Sequence, residues 1–239
     1  MASADLKLAI MQPYLFPYIG YFQLMHAADR FVIYDDVNYI KGGWINRNRI
    51  MVNSEPHMFT LPLRNAGSNV AINEIQIGGN DYLKWRNKFI RTLEQAYAKA
   101  PFRDGVIELV NNVINPDAHS LADLLLASIK AIKDRVGIGI EIISTTTNYG
   151  NEGLSGADRV IDICKREGAS VYINPIGGKE LYDADRFGNE GIELLFLRTR
   201  ALNFAEFEDL QRQGLSIIDV MMWNSPERIS AYLEEYDLV

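Results

Sequence analysis

"LKLAIMQPYLFPYIGYFQLMHAADRFVIYDD", Leu6 to Asp36, opens with a short apolar run, Leu6–Met11, that Gln12 and Pro13 close before it reaches helical length. Such a run is expected to be a buried strand. Two prolines, at 13 and 17, fix φ and remove backbone donors, so the following loop is stiff. From Gly20 to Ala28, Phe22, Leu24, Met25 and Ala28 recur at helical spacing, and "RFVIYDD" reads as a second strand that ends on two acids. Strand, loop, helix and strand in this order form a βαβ unit, and a crossover of that kind pairs the two strands in parallel.

The unit recurs toward the other end of the chain. "GIEIIST", "SVYINP" and "IELLFLRT" read as strands, and "ADRVIDICKREG" between the first two reads as an amphipathic helix with Gly168 beyond its end. "SPERISAYLEEY" begins a helix with Ser225 as cap and Pro226 at the first position. The turn "NSEP" joins two short strands into a hairpin. "AINEIQI" alternates like a half-exposed strand. Asp81 is placed to cap a helix from Tyr82 to about Lys99, and further helices are expected over Phe102–Val113 and Ser120–Val136, the last with Ser120 and Asp123 as a capping box. The expected architecture is α/β: a three-layer, Rossmann-like, mainly parallel sheet forming a single domain over residues 1–239, with a helical insertion at about 82–136.

Composition bounds the function. Of 239 residues, 48% are hydrophobic and 23% charged, the range of a globular chain, and the formal charge is −7. An acidic chain lacks the basic field of a non-specific DNA binder. One cysteine, Cys164, allows no internal disulfide; it lies on an apolar helix face and reads as core. No stretch approaches the roughly 20 apolar residues of a membrane span, and the first residues do not resemble a signal peptide, so a cytoplasmic protein is expected. His26, His57 and His119 share no zinc spacing with one another or with Cys164, so no metal centre is expected from them.

Ligands of open parallel sheets bind outside the carboxyl ends of the strands. Four loops are expected there: Gln12–Ile19, Asp35–Arg49, Ser144–Ser155 and Asn174–Lys179. In the first, Gln12, Tyr14 and Tyr18 are candidate ligand contacts and Gly20 lets the backbone approach a ligand; Phe16 and Phe22 read as core. Asp35 and Asp36 are either turn-forming acids or a base and a binding group for Mg²⁺, a sugar hydroxyl or a substrate amine. "KGGWINRNR" sets Lys41, Arg47 and Arg49 among glycines with Trp44 as a stacking face, while Asn46 and Asn48 add amides. Guanidinium forks match phosphate. In the last loop Asn174, Gly177 and Gly178 are candidate contacts and Lys179 a candidate group for developing negative charge.

"MQPYLFPYIGYFQLMHAADRFVIYDDVNYIKGGWINRNRI" closely resembles the opening of the WbqC-like family of bacterial proteins, as do "SGADRVIDICKREGASVYINPIGGKELYD" and "LSIIDVMMWNSPE". The resemblance runs from Leu6 to about Leu238. It implies association with surface-polysaccharide (O-antigen) synthesis and transfer of glycine or a similar acyl group to an amino sugar, carried here on a nucleotide. It supplies no catalytic residues. A weaker similarity links the first βαβ unit to the nucleotidyltransferase and pantothenate synthetase superfamily, whose "HxGH" motif binds ATP phosphates with Mg²⁺. Tyr18 to Tyr21, "YIGY", stand at those positions, and the loss of both histidines counts against ATP-driven adenylation. The cofactor and the oligomeric state stay open. The alternatives are a glycosyltransferase-like enzyme holding a nucleotide sugar through Mg²⁺ on Asp35–Asp36, and a non-catalytic accessory protein of polysaccharide assembly.

Overall fold

The computed structural model describes residues 5–200 and 214–239. The opening stretch forms β1 (Lys7–Met11), α1 (Ile19–Ala27) and β2 (Arg30–Ile33), and β1 pairs with β2 in parallel, Ala9 beside Phe31. The hairpin β3 (Arg47–Val52) and β4 (Glu55–Thr60) follows, with Asn53 and Ser54 at positive φ in its turn. Three helices come next: α2 (Gly79–Ala96), α3 (Arg103–Val113) and α4 (Leu121–Arg135). β5 (Glu141–Ile143), α5 (Gly156–Glu167), β6 (Val171–Pro175), α6 (Ala184–Gly188) and β7 (Glu193–Thr199) resume the alternation; α7 (Ile217–Trp223), α8 (Pro226–Tyr232) and β8 (Tyr236–Leu238) complete it.

The six-stranded sheet runs β5-β2-β1-β6-β7-β8, parallel throughout except for β8. The layers follow from strand alternation. Ala9, Phe31, Ile33, Val171 and Ile173 pack under α1 and the helices of the 79–135 stretch, whereas Leu8, Ile10, Val32 and Tyr172 pack against Ala157, Val160, Ile161 and Cys164 of α5. Two apolar clusters on opposite faces of one sheet make the three-layer α/β arrangement expected from the sequence.

Two local expectations change. "AINEIQI" is not a strand: residues Ile72–Glu74 form a 3₁₀ turn, and Ile72 and Ile75 are both buried. Their spacing of three matches a 3₁₀ turn, whose side chains eclipse at i and i+3. α2 starts at Gly79 with no side-chain cap, which leaves Asp81 inside the first turn rather than ahead of it. Ser120 does cap α4, accepting from the Asp123 amide at 3.2 Å.

Chain order reverses between β1 and β6. α1 carries the chain from β1 to β2 on one side, and α5 carries it from β5 back past both to β6. Ligand sites of open α/β sheets lie outside the carboxyl ends of the strands at such a reversal.

Candidate functional site

The loop after β1 is built around one unusual residue. Phe16 is fully buried and holds φ at +44°, where a side chain without special support is disfavoured. Its carbonyl oxygen accepts two hydrogen bonds, from Asn48 Nδ2 at 2.7 Å and from Ser216 Oγ at 2.7 Å. The Leu15 amide donates to the Ile45 carbonyl at 3.0 Å. Hairpin, loop and the start of α7 are thereby fastened together at the carboxyl edge.

The same loop presents tyrosines. Tyr18 occupies the residue before α1, Tyr14 lies 5.9 Å from Tyr21 ring to ring, and the Tyr21 hydroxyl donates to the Gln12 carbonyl at 3.1 Å. Burial pushes the Tyr14 and Tyr18 phenols above their ordinary range, so both are neutral near pH 7. Gly20 is a close-approach glycine: a Cβ there would stand 2.3 Å from the Tyr18 ring and 2.9 Å from Thr199 Oγ1. These residues do not fit ATP phosphates as the "HxGH" histidines would. Tyr21 is buried and committed to Gln12, and neither phenol is a cation.

The geometry separates the two acids that follow β2. Asp36 is spent on both oxygens: Arg159 Nη2 lies 2.6 Å from Oδ2, and Thr146 Oγ1 donates to Oδ1. Arg159 and Asp36 side chains are 3% and 7% exposed. The guanidinium also donates to Asn151 Oδ1 at 2.9 Å and lies over the Tyr34 ring at 5.1 Å. Asp35 is buried too, but its hydrogen bonds from neighbours all reach Oδ1, from Thr145 Oγ1 at 2.9 Å, the Thr146 amide at 3.1 Å and Thr146 Oγ1 at 3.4 Å. Burial raises its carboxyl above the ordinary range, against the lowering effect of the Thr145 and Thr146 donors. The loop after β5 therefore serves to hold these acids.

On the hairpin, Trp44 is 41% exposed, with the Arg47 and Arg49 guanidinium carbons 5.7 and 5.4 Å from its ring centre. Among the described residues no carboxylate lies within ion-pair distance of either arginine. Their hydrogen bonds differ. Arg47 closes its own turn, donating to Gly43 O at 2.9 Å and to Gly42 O. Among the described residues the Arg49 guanidinium reaches only Gly214 O, at 3.3 Å, and its Nε is buried without a partner. Lys41, earlier in the same loop, is exposed. Asn46 is turned inward between the Tyr39 hydroxyl and Leu61 O, both at 2.8 Å.

After β6, residues Ile176–Leu181 form a 3₁₀ turn with Gly177 and Lys179 exposed, and Gly178 lies directly over the Asn174 amide. Because β1, β2, β5 and β6 are parallel, the four loops expected at the carboxyl edge all emerge there.

The sequence model of the WbqC-like protein family matches residues 12–231. The chain belongs to that family. The match spans every part of the candidate site above, from Gln12 to Ser216. An uncharacterized protein of Mycobacterium tuberculosis (strain ATCC 25618 / H37Rv) is 27% identical over 190 residues, which is 79% of this chain and 80% of the relative. No solved structure matches. The candidate site includes two residues that a sequence reading passes over, Arg159 and Ser216, while Thr145 and Thr146 belong to the Ser144–Ser155 loop expected there. Arg159 had a signal. It lies four residues before Ile163 on the buried face of α5, and a charge on an apolar stripe calls for a buried partner. None of the described residues forms a cluster of three His, Cys, Asp or Glu side chains able to hold a metal. No described helix is long and apolar enough to cross a membrane.

Proposed function

We propose that this WbqC-like protein is an enzyme that joins an activated acyl group, glycine or a similar residue, to the amine of a nucleotide-linked amino sugar for surface-polysaccharide synthesis. The observation that carries the reading is Arg49. Its guanidinium faces Trp44, has no carboxylate partner among the described residues, and keeps a buried Nε without an acceptor. A buried donor left unpaired costs about 1–3 kcal/mol, and an oxyanion would remove that cost. The diphosphate of a nucleotide sugar is such an anion, and the Trp44 ring offers a face for the base or sugar.

In this reading Asp35 is the base. Its raised carboxyl pKa and an Oδ2 without a described partner suit it to take a proton from the substrate ammonium, which frees the amine to attack. The amine nitrogen attacks the acyl carbon, the C–N bond forms, the bond to the acyl carrier breaks, and the carrier leaves with the electron pair. Lys179, exposed on the turn after β6, is assigned to the negative charge that develops on the acyl oxygen. Asp36 stays paired with Arg159 and holds the strand end. That pairing also disfavours a glycosyltransferase mechanism through Mg²⁺ on Asp35–Asp36, since a carboxylate closed by an arginine is a poor metal ligand. Gln12, Tyr14 and Tyr18 line the neutral side of the site.

Calorimetric titration of UDP and of a UDP-linked amino sugar tests the binding half. Mass spectrometry of the amino sugar after incubation with protein and cell extract, which supplies the acyl donor, tests the chemistry. A mass gain of one acyl residue that Asp35→Asn abolishes supports the reading. An unchanged amino sugar together with no nucleotide binding overturns it.

A further inference from the structure

Among the described residues, the buried side-chain amides are held by protein partners, with one exception. Gln23 donates to the carbonyls of Tyr232 and Glu235 and accepts from Thr199; Asn46 bridges Tyr39 and Leu61; Asn48 holds Phe16; Asn151 links Asp162 to Arg159; Asn224 donates to Val220 O. Asn174 is 6% exposed and makes no side-chain hydrogen bond among the described residues. Its Nδ2 and Oδ1 are not among the atoms sealed from solvent without a partner, so this enclosed amide still reaches solvent while no described protein group holds it.

Its place in the fold supplies a reason. Asn174 is the fourth residue of β6, which lies between β1 and β7, and the β1–β6 junction is where the chain order reverses. Alternation along β6 sets it on the α5 side with Tyr172, whose ring meets Tyr182 edge-on at 5.7 Å. Gly178 descends onto the amide, and a Cβ at that position would stand 2.2 Å from Nδ2. The turn that carries Lys179 is thus shaped around a carboxamide that holds nothing.

We infer that the Asn174 carboxamide is a ligand-reading group, which takes a neutral hydroxyl or amide substituent of the acceptor's sugar ring, donating through Nδ2 and accepting through Oδ1. A carboxamide offers one kind of donor and one acceptor with no net charge. Its complement is a group that both accepts and donates. A phosphate near neutral pH chiefly accepts and an ammonium only donates. Arg49 and Asn174 therefore divide the ligand, anion to one and ring to the other. The identity of the ring rests on the proposed nucleotide-sugar reading; the unpaired amide does not.

The test uses thermal unfolding of the free protein and titration with UDP-N-acetylglucosamine and with UDP. Asn174→Leu keeps the size and deletes an amide that no described protein group holds, so the free protein is expected to melt within about 2 °C of wild type. Affinity for UDP-N-acetylglucosamine is expected to fall roughly ten-fold or more while UDP binds as before. Gly178→Ala keeps the amide but displaces it, and should give the same selective loss. A melting temperature below that range or failure to fold in Asn174→Leu overturns the inference, because the amide would then be structural. Wild-type affinity for UDP-N-acetylglucosamine in both variants overturns it as well, and leaves the nucleotide-sugar reading standing. If wild type binds neither nucleotide, the nucleotide-sugar reading fails, and the melting temperature alone decides Asn174: an unchanged value sustains a group kept free of structural duty, and a fall removes it.

Discussion

Asn48 holds Phe16. The side-chain amide of a hairpin strand donates at 2.7 Å to the carbonyl of a loop residue 32 positions earlier, and that residue keeps a left-handed backbone. A non-glycine residue in that region costs on the order of 1–3 kcal/mol and persists only where its surroundings fix it. Asn48→Ala removes one of the two donors that do so. It is expected to destabilise by about 1–3 kcal/mol in urea unfolding, and to weaken ligand binding as well, because the loop carries Tyr14 and Tyr18. Stability within experimental error of wild type would show that Ser216 alone suffices.

The Asp36–Arg159 pair is buried, so removing one partner strands a charge. Asp36→Asn or Arg159→Met is expected to cost about 3–5 kcal/mol. The double variant Asp36→Asn with Arg159→Met should recover much of that loss, since no uncompensated charge remains. Equilibrium urea curves of all three settle it; additive losses would mean that the two side chains act independently.

Asp35 is predicted to destabilise the fold when ionised. Burial raises its folded pKa above the ordinary carboxyl value, so the native state binds this proton more tightly than the unfolded chain. The stability it contributes is complete below the unfolded pKa of about 3.9 and is lost as pH rises through the folded value. Asp35→Asn, whose Oδ1 can still accept from Thr145 and Thr146, should melt at or above wild type at pH 7, with the advantage shrinking as pH falls toward 4. Acyl transfer should be lost at every pH. A variant less stable than wild type across the whole range would contradict this electrostatic account.

Arg47 and Arg49 should part company. Arg47 fastens its own turn through Gly42 and Gly43, and Arg47→Ala is expected to lower the melting temperature. Arg49→Ala should leave the melting temperature near wild type and weaken nucleotide-sugar binding roughly ten-fold or more, the equivalent of a charge-assisted hydrogen bond. Arg49→Lys restores charge but not the planar fork, so only partial recovery is expected. Identical behaviour of the two alanine variants in both assays would rule out this division.

Much of the sheet was legible because buried parallel strands are short apolar runs bounded by turn residues, and "LKLAIM", "SVYINP" and "IELLFLRT" have that form. α7 was not, because six of its seven residues are buried, Asp219 among them, and a segment buried all round shows no helical periodicity. The edge strand β8, "YDL", is too short to announce itself. At the site, loops at strand ends could be located from composition alone. What could not be read was pairing: Asp36 with Arg159 joins residues 123 apart, and Asn48 becomes a loop clamp only once the hairpin folds back. Asn46, equally polar in the sequence, is likewise buried but bridges Tyr39 and Leu61 rather than the loop.

The central strand pair has a kinetic consequence. β1 meets β6 with Lys7 beside Val171, so the middle of the sheet cannot close until most of the chain is present. The intervening hairpin and helices can form on local contacts, but the junction that bears Asn174 waits for the longest loop closure in the sheet. Long-range parallel pairing is slow and leaves apolar strands exposed meanwhile. Refolding from denaturant should therefore show early helical signal and a late phase in which the carboxyl edge is assembled. Lowering protein concentration should raise the refolded yield more than adding time.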